Sequence, residues 1–110
     1  MNTALIYIAG KVTGLDRTQT LKKFKTAQDS ITDLGLGTLN PMDLVKNPET
    51  NWKDAMRICL RGLLLCDCIL LLPDAKQSKG ALVEYQLAKN LGIRVFQSMD
   101  QVKAYANENH

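Results

Sequence analysis

With 110 residues, 45% hydrophobic and 23% charged, the sequence holds apolar material for one compact core and not for two. This is the balance of a folded chain rather than a disordered one. The formal net charge of +3 is too small, and too evenly mixed with Asp and Glu, to specify a nucleic-acid surface. The densest basic run, Lys22, Lys23 and Lys25, alternates with apolar positions and reads as a solvated helix face.

Taken in chain order, Ala4 to Ala9 is a continuous β-prone run ending at Gly10, as expected of a strand buried on both faces. A helix follows from about Thr18 to Leu34, with Leu21, Phe24, Ala27, Ile31 and Leu34 as its apolar stripe, stopped by Gly35 and Gly37. Gly37 to Asn40 is a short second strand ended by Asn40-Pro41. Trp52, Ala55, Met56, Cys59, Leu60, Leu63 and Leu64 repeat at helical spacing. Cys68 to Leu72 is a buried strand closed by Pro73-Asp74. A loop from Ala75 to Ser78 leads into a third long helix, Lys79 to Leu91, ended by Gly92. Ile93 to Phe96 is the last strand, and Gln101 to Tyr105 a short final helix.

Strands and helices alternating over short loops predict a single α/β domain over residues 1–110. Its expected form is a three-layer, flavodoxin-like (Rossmann-like) sandwich with a parallel sheet of four to five strands. Ligands on such sheets bind beyond the carboxyl ends of the strands, where strand order reverses. That places the loops after Ala9, Asn40, Pro73 and Phe96 at the functional edge.

The apolar run from Leu63 to Pro73 is interrupted by Asp67 and too short to span a bilayer. Met1-Asn2-Thr3 does not open a signal peptide. Cys59, Cys66 and Cys68 are an odd set, and Cys66 and Cys68 would point to opposite faces of a strand. The single His, His110, leaves a zinc site short of ligands. The expectations are a cytoplasmic protein with reduced, buried thiols, no metal, no cofactor and no membrane or nucleic-acid partner.

The most informative residue is Glu84. On its helix it shares a face with Gly80, Ala81, Leu87, Ala88 and Leu91, so its carboxylate is aimed at the sheet. No Lys or Arg stands three or four residues away to pair with it. With Ser78 as N-cap, the capping-box position would be Ala81, so capping does not explain Glu84 either. A desolvated carboxylate has a raised pKa and is costly without a task or a hidden partner. The bland alternative is a Glu at the exposed edge, or one bonded to a core tyrosine such as Tyr7.

Ser78-Lys79-Gly80 opens the same helix and offers a hydroxyl and free N–H groups, as a phosphate seat does. Ser at an N-cap followed by Gly is also commonplace. Gly10-Lys11-Val12-Thr13-Gly14 is a Gly-bracketed turn that fits neither the dinucleotide fingerprint nor the P-loop. Asp67 reads as a strand-start residue, Asn40 as an Asx turn, and Trp52 as a helix-start anchor rather than a base-stacking platform.

Ile6-Tyr7-Ile8-Ala9-Gly10, Asn40-Pro41, Cys66-Asp67 and Ser78-x-Gly80-x-x-x-Glu84 together resemble the nucleoside 2-deoxyribosyltransferase superfamily, over nearly the whole chain. Leu71-Leu72-Pro73, Ser78-Lys79-Gly80-Ala81 and Leu91-Gly92 are similar to its small bacterial and phage branch. The resemblance implies a flavodoxin-like sheet and a glycosyl-enzyme mechanism with Glu84 as nucleophile and Tyr7 orienting it. It also implies a substrate site from Gly10, Val12, Thr13, Asn40, Cys59, Ser78 and Gly80, with Ser98 reaching across a homodimer from Gln97-Ser98-Met99. Members with Ser at the position of Ser78 resemble the deoxynucleoside 5′-monophosphate N-glycosidases, where the Ser helps bind phosphate.

Two positions depart from the pattern. Cys59 stands where the characterised enzymes carry an Asp, and a thiol does not hold a sugar hydroxyl or handle a proton as a carboxyl does. Asp74-Ala75 stands where the branch often has Gly-Trp. The expected function is an N-glycosidase or deoxyribosyltransferase acting on a nucleotide or nucleoside. The rival is a non-catalytic protein that sequesters or senses a nucleotide, which Cys59 favours.

Overall fold

Five consecutive β-prone residues, Leu5–Ala9, form strand β1, and its alternation assigns each side chain to a face. The structure, a computed structural model, describes residues 3–108. Met1-Asn2, on which the signal-peptide reading rests, and His110 therefore lie outside the described residues. Strand β1 is followed by α1 (Arg17–Thr32), β2 (Gly37–Leu39), α2 (Pro41–Leu44), α3 (Trp52–Leu63) and β3 (Cys68–Leu71). A 3-10 turn, Ala75–Gln77, then precedes α4 (Lys79–Asn90), β4 (Arg94–Phe96) and α5 (Met99–Glu108).

Among the described residues, four strands make one parallel sheet in the order β2-β1-β3-β4. The chain moves outward from β1 to β2 and then returns across β1 to β3, so strand order reverses between β1 and β3. Their carboxyl ends, Ala9 and Leu71, are register partners. Ligands on such sheets bind beyond a reversal of this kind. This is the flavodoxin-like sheet expected, with four strands.

Two apolar layers divide by strand parity. Ile6, Ile8, Cys68, Leu70 and Phe96 pack with Phe24, Ala27 and Ile31 of α1 and Val102 of α5. Tyr7, Ala9, Ile69 and Leu71 pack with Cys59 and Leu63 of α3 and Ala81 and Ala88 of α4. Cys66 and Cys68 fall in opposite layers, and all three cysteines are free and buried. No helix among the described residues is long and apolar enough to cross a membrane.

Several boundaries differ from the periodicity reading. Helix α1 starts at Arg17 because Asp16 caps it, its carboxylate accepting from the Gln19 N–H. It stops at Thr32, and Gly35, at φ +82°, takes the left-handed turn that favours glycine. Gly37 is no helix stop: it begins β2 and pairs with Leu5. Asn40-Pro41 does more than turn the chain. Asn40 caps the short helix α2, with Pro41 in its first turn, where a missing N–H costs nothing. Helix α5 extends on both sides of Gln101–Tyr105, with Ser98 accepting from the Gln101 N–H at its start.

Candidate functional site

A cavity of about 450 Å³ opens over the β1–β3 switch point. Its inner wall comes from the α3 stripe Trp52, Ala55, Met56 and Cys59 and from the first turns of α4, with Ser78, Gly80, Ala81 and Glu84. Its outer wall comes from the loop after β1, the start of α1, helix α2 and the segment Val45 to Thr50.

Glu84 sits in this wall, buried at 5% exposure. The hydroxyl of Tyr7, wholly buried on β1, donates to its Oε2 at 2.5 Å. The tyrosine-bonded carboxylate and the cavity-facing one are thus the same group. Burial pushes the Glu84 carboxyl up to about 7, with the Tyr7 hydrogen bond pulling the other way. Burial, and the negative charge of Glu84, push the Tyr7 phenol far above its ordinary range, so it stays a donor.

The Cys59 thiol adjoins this pair and lines the cavity. Its own pKa is raised to about 11, chiefly by burial, with Tyr7 lowering and Glu84 raising it. At neutral pH it is a neutral thiol, a weak donor and no thiolate nucleophile.

Ser78 caps α4, its Oγ accepting from the Ala81 N–H at 3.1 Å, while lining the cavity. Gly80 lets α4 approach α3: a Cβ there would stand 3.0 Å from Met56 Sδ. The turn Val12-Thr13-Gly14-Leu15 closes through the Leu15 N–H to the Val12 carbonyl, with Gly14 at φ +82°. It brings Val12 and Thr13, together with Gly10, to the cavity.

Three sequence-expected residues lie outside the lining: Asn40, Ser98 and Tyr7, which is wholly buried behind Glu84. Asn40 is buried with its Oδ1 accepting from Met42 N–H and its Nδ2 donating to Gln28 Oε1, so both ends are structurally engaged. Ser98 is exposed at the start of α5. Asp67 ties the strands together, its carboxylate accepting from the Leu5 N–H at 2.8 Å, as a strand-start residue does.

The structure adds residues that spacing did not single out. Arg17, Met42, Val45, Asn47, Pro48 and Thr50 line the cavity, which no local pattern announces. Trp52, the first residue of α3, is both a helix start and part of the wall, with Lys79 Nζ 4.5 Å from its ring centroid. Lys23 is not part of a free solvated face. It bridges Asp74 at 2.6 Å and the Lys11 carbonyl, while Asp74 also accepts from the Lys11 N–H at 2.9 Å. This strut joins the loops after β1 and β3 at the cavity's edge. Burial raises the Asp74 carboxyl, but the Lys11 and Lys23 bonds outweigh it and bring it below its usual value. Asp74→Ala is expected to destabilise the fold by about 1–2 kcal/mol. It should also speed amide exchange across Lys11 to Gly14; unchanged exchange there would show that the strut does not hold the loop. No group of three or more potential metal-ligating His, Cys, Asp or Glu side chains occurs among the described residues.

The family described as "Domain of unknown function (DUF4406)" matches residues 4–97. Among curated proteins, none matches the chain. Among solved structures, the 2-deoxyribosyltransferase of the psychrotolerant bacterium Bacillus psychrosaccharolyticus is similar, with a TM-score of 0.63 at 22% identity. The alignment covers 84% of this chain and 69% of that one. That enzyme is described as a biocatalyst for the synthesis of antiviral and antitumoral nucleosides. With the family matched across most of the chain and this fold shared, the protein belongs to the DUF4406 family and has the nucleoside 2-deoxyribosyltransferase-like fold.

Proposed function

We propose that the protein cleaves the N-glycosidic bond of a nucleotide or nucleoside, as a hydrolase or a deoxyribosyltransferase, with Glu84 as nucleophile. The observation that carries this reading is a buried carboxylate held by the Tyr7 hydroxyl and facing a cavity of about 450 Å³. That volume is of the size that small-molecule sites use. The match to a deoxyribosyltransferase fold supports the same chemistry.

In the reaction, a Glu84 oxygen attacks the anomeric carbon and forms an ester bond to the sugar. The bond from that carbon to the base nitrogen breaks, and its electron pair leaves with the base, which takes up a proton from solvent. Water, or a second base, then displaces Glu84 from the sugar and completes hydrolysis or transfer. Splitting one displacement into two is the gain of covalent catalysis. Tyr7 holds one carboxylate oxygen and fixes the direction of the other, so little reorganisation is needed on attack. Gly10, Val12 and Thr13 would enclose the sugar, and Ser78 with the N–H groups leading to Gly80 would take a 5′-phosphate. Asn40 would act from beneath, by fixing α2.

The test is incubation with a panel of deoxynucleosides and their 5′-monophosphates, scoring free base by chromatography. Release of base from at least one member supports the reading; binding without release supports the rival. That rival, a non-catalytic nucleotide-binding protein, is favoured by one observation: the neutral Cys59 thiol beside Glu84.

A second copy of the chain would complete the site through Gln97-Ser98-Met99, where Ser98 is exposed at the strand-end edge of the sheet. Light scattering is expected to give a dimer in the presence of substrate. A monomer that still binds nucleotide would remove Ser98 from the site. Three free thiols fit a reducing, cytoplasmic setting.

A further inference from the structure

Among the described residues, two charged ones line the cavity, Glu84 and Arg17. Two nearby cations are engaged elsewhere. Lys23 is paired with Asp74, and Lys79 lies over the Trp52 ring; neither lines the cavity. Arg17 is different. Its Nη2 donates to the Lys46 carbonyl at 3.1 Å, which ties down the segment Val45 to Thr50. It forms no ion pair among the described residues. A carbonyl takes one hydrogen bond and leaves the guanidinium charge uncompensated, with most of its five N–H donors available. An unpaired guanidinium at a cavity of ligand size has the chemistry of an anion receptor.

From this we infer that Arg17 is a specificity-determining residue, whose guanidinium takes the phosphate of the ligand and sets the preference for nucleotide over nucleoside. The inference rests on the nucleotide or nucleoside reading above and goes beyond it by assigning the charge discrimination to one residue. Attraction to Glu84 cannot supply it, because a carboxylate repels a phosphate. Arg17 also carries the Lys46 bond, so an anion held there would fasten the outer wall to α1 through the same side chain.

The experiment is calorimetric titration of wild type, Arg17→Gln and Arg17→Lys. The ligands are the four deoxynucleoside monophosphates, the matching nucleosides and 2-deoxyribose 5-phosphate. Arg17→Gln is expected to weaken monophosphate binding roughly ten- to hundredfold, the worth of a hydrogen bond to a charged group. Nucleoside affinity should stay within about threefold of wild type, within the scatter of a single neutral contact. Arg17→Lys, which keeps the charge and loses the planar fork, should fall between. Added salt should weaken monophosphate binding in wild type and much less in Arg17→Gln.

Equal losses for monophosphates and nucleosides would overturn the inference, leaving Arg17 as a tie for the outer wall; so would no loss at all. If no nucleoside or nucleotide binds wild type, while 2-deoxyribose 5-phosphate binds wild type and not Arg17→Gln, Arg17 stands and the base-bearing ligand falls. If none of these ligands binds wild type, both fall.

Discussion

Glu84→Gln is expected to slow base release by several orders of magnitude while leaving nucleotide binding intact or tighter. The amide matches the carboxyl in shape and can still accept from the Tyr7 hydroxyl, but it has no charge with which to attack the anomeric carbon. Removing the nucleophile from a covalent mechanism takes away the step itself rather than one contact to it. The same logic fixes the pH profile. A carboxyl raised to about 7 is ionised only above that value, so release should climb through pH 7 and level off beyond it. Cys59→Asp sharpens the comparison. If wild type turns over slowly or not at all because of the thiol, the new carboxyl should raise release, and only in the presence of Glu84. Turnover that survives Glu84→Gln would assign the chemistry to another residue.

At pH 8 Glu84→Gln is also expected to stabilise the fold, by about 2–3 kcal/mol, or a rise in Tm on the order of 10 °C for a domain of this size. The unfolded carboxyl titrates near 4.5 and the folded one near 7. Below the lower value both states hold the proton, and the buried group costs little. Between the two values the folded chain keeps a proton that the unfolded chain has lost, so wild-type stability falls as pH rises. Above pH 7 the cost is present in full, about 3 kcal/mol from the size of the shift. Glutamine does not titrate, so its advantage should vanish near pH 4 and grow to its full size by pH 8. Equal stability of the two proteins at both pH values would mean that the carboxylate is solvated. A gain of stability with loss of turnover is the pattern expected where a site holds a group that the fold does not favour.

The sheet was legible because β1 and β3 are continuous apolar runs and α3 carries an unbroken helical stripe from Trp52 to Leu63. Glu84 was legible for a similar reason: it interrupts a small, apolar helix face with no neighbour to neutralise it. Helix α2 was not read, although its signals, Asn40 at the cap and Pro41 after it, are local; four residues are too few to show a period. The Lys23–Asp74 strut was hidden for a different reason. Its partners are 51 residues apart, and each has a sufficient local account, a solvated helix face and a strand end. Arg17 was missed likewise, since the first helical residue after an Asp cap is ordinarily exposed. The return of the chain through Val45 to Thr50 is what meets it, through the Lys46 carbonyl.

The central claim is that Glu84 becomes covalently bonded to the sugar, and intact mass spectrometry of acid-quenched reactions reads this directly. Wild type mixed with a reactive deoxynucleoside monophosphate should gain the mass of the substrate less its base, on the peptide that contains Glu84. Glu84→Gln should gain nothing. Base release with an unmodified Glu84 peptide, or an adduct that forms equally in Glu84→Gln, would contradict the account.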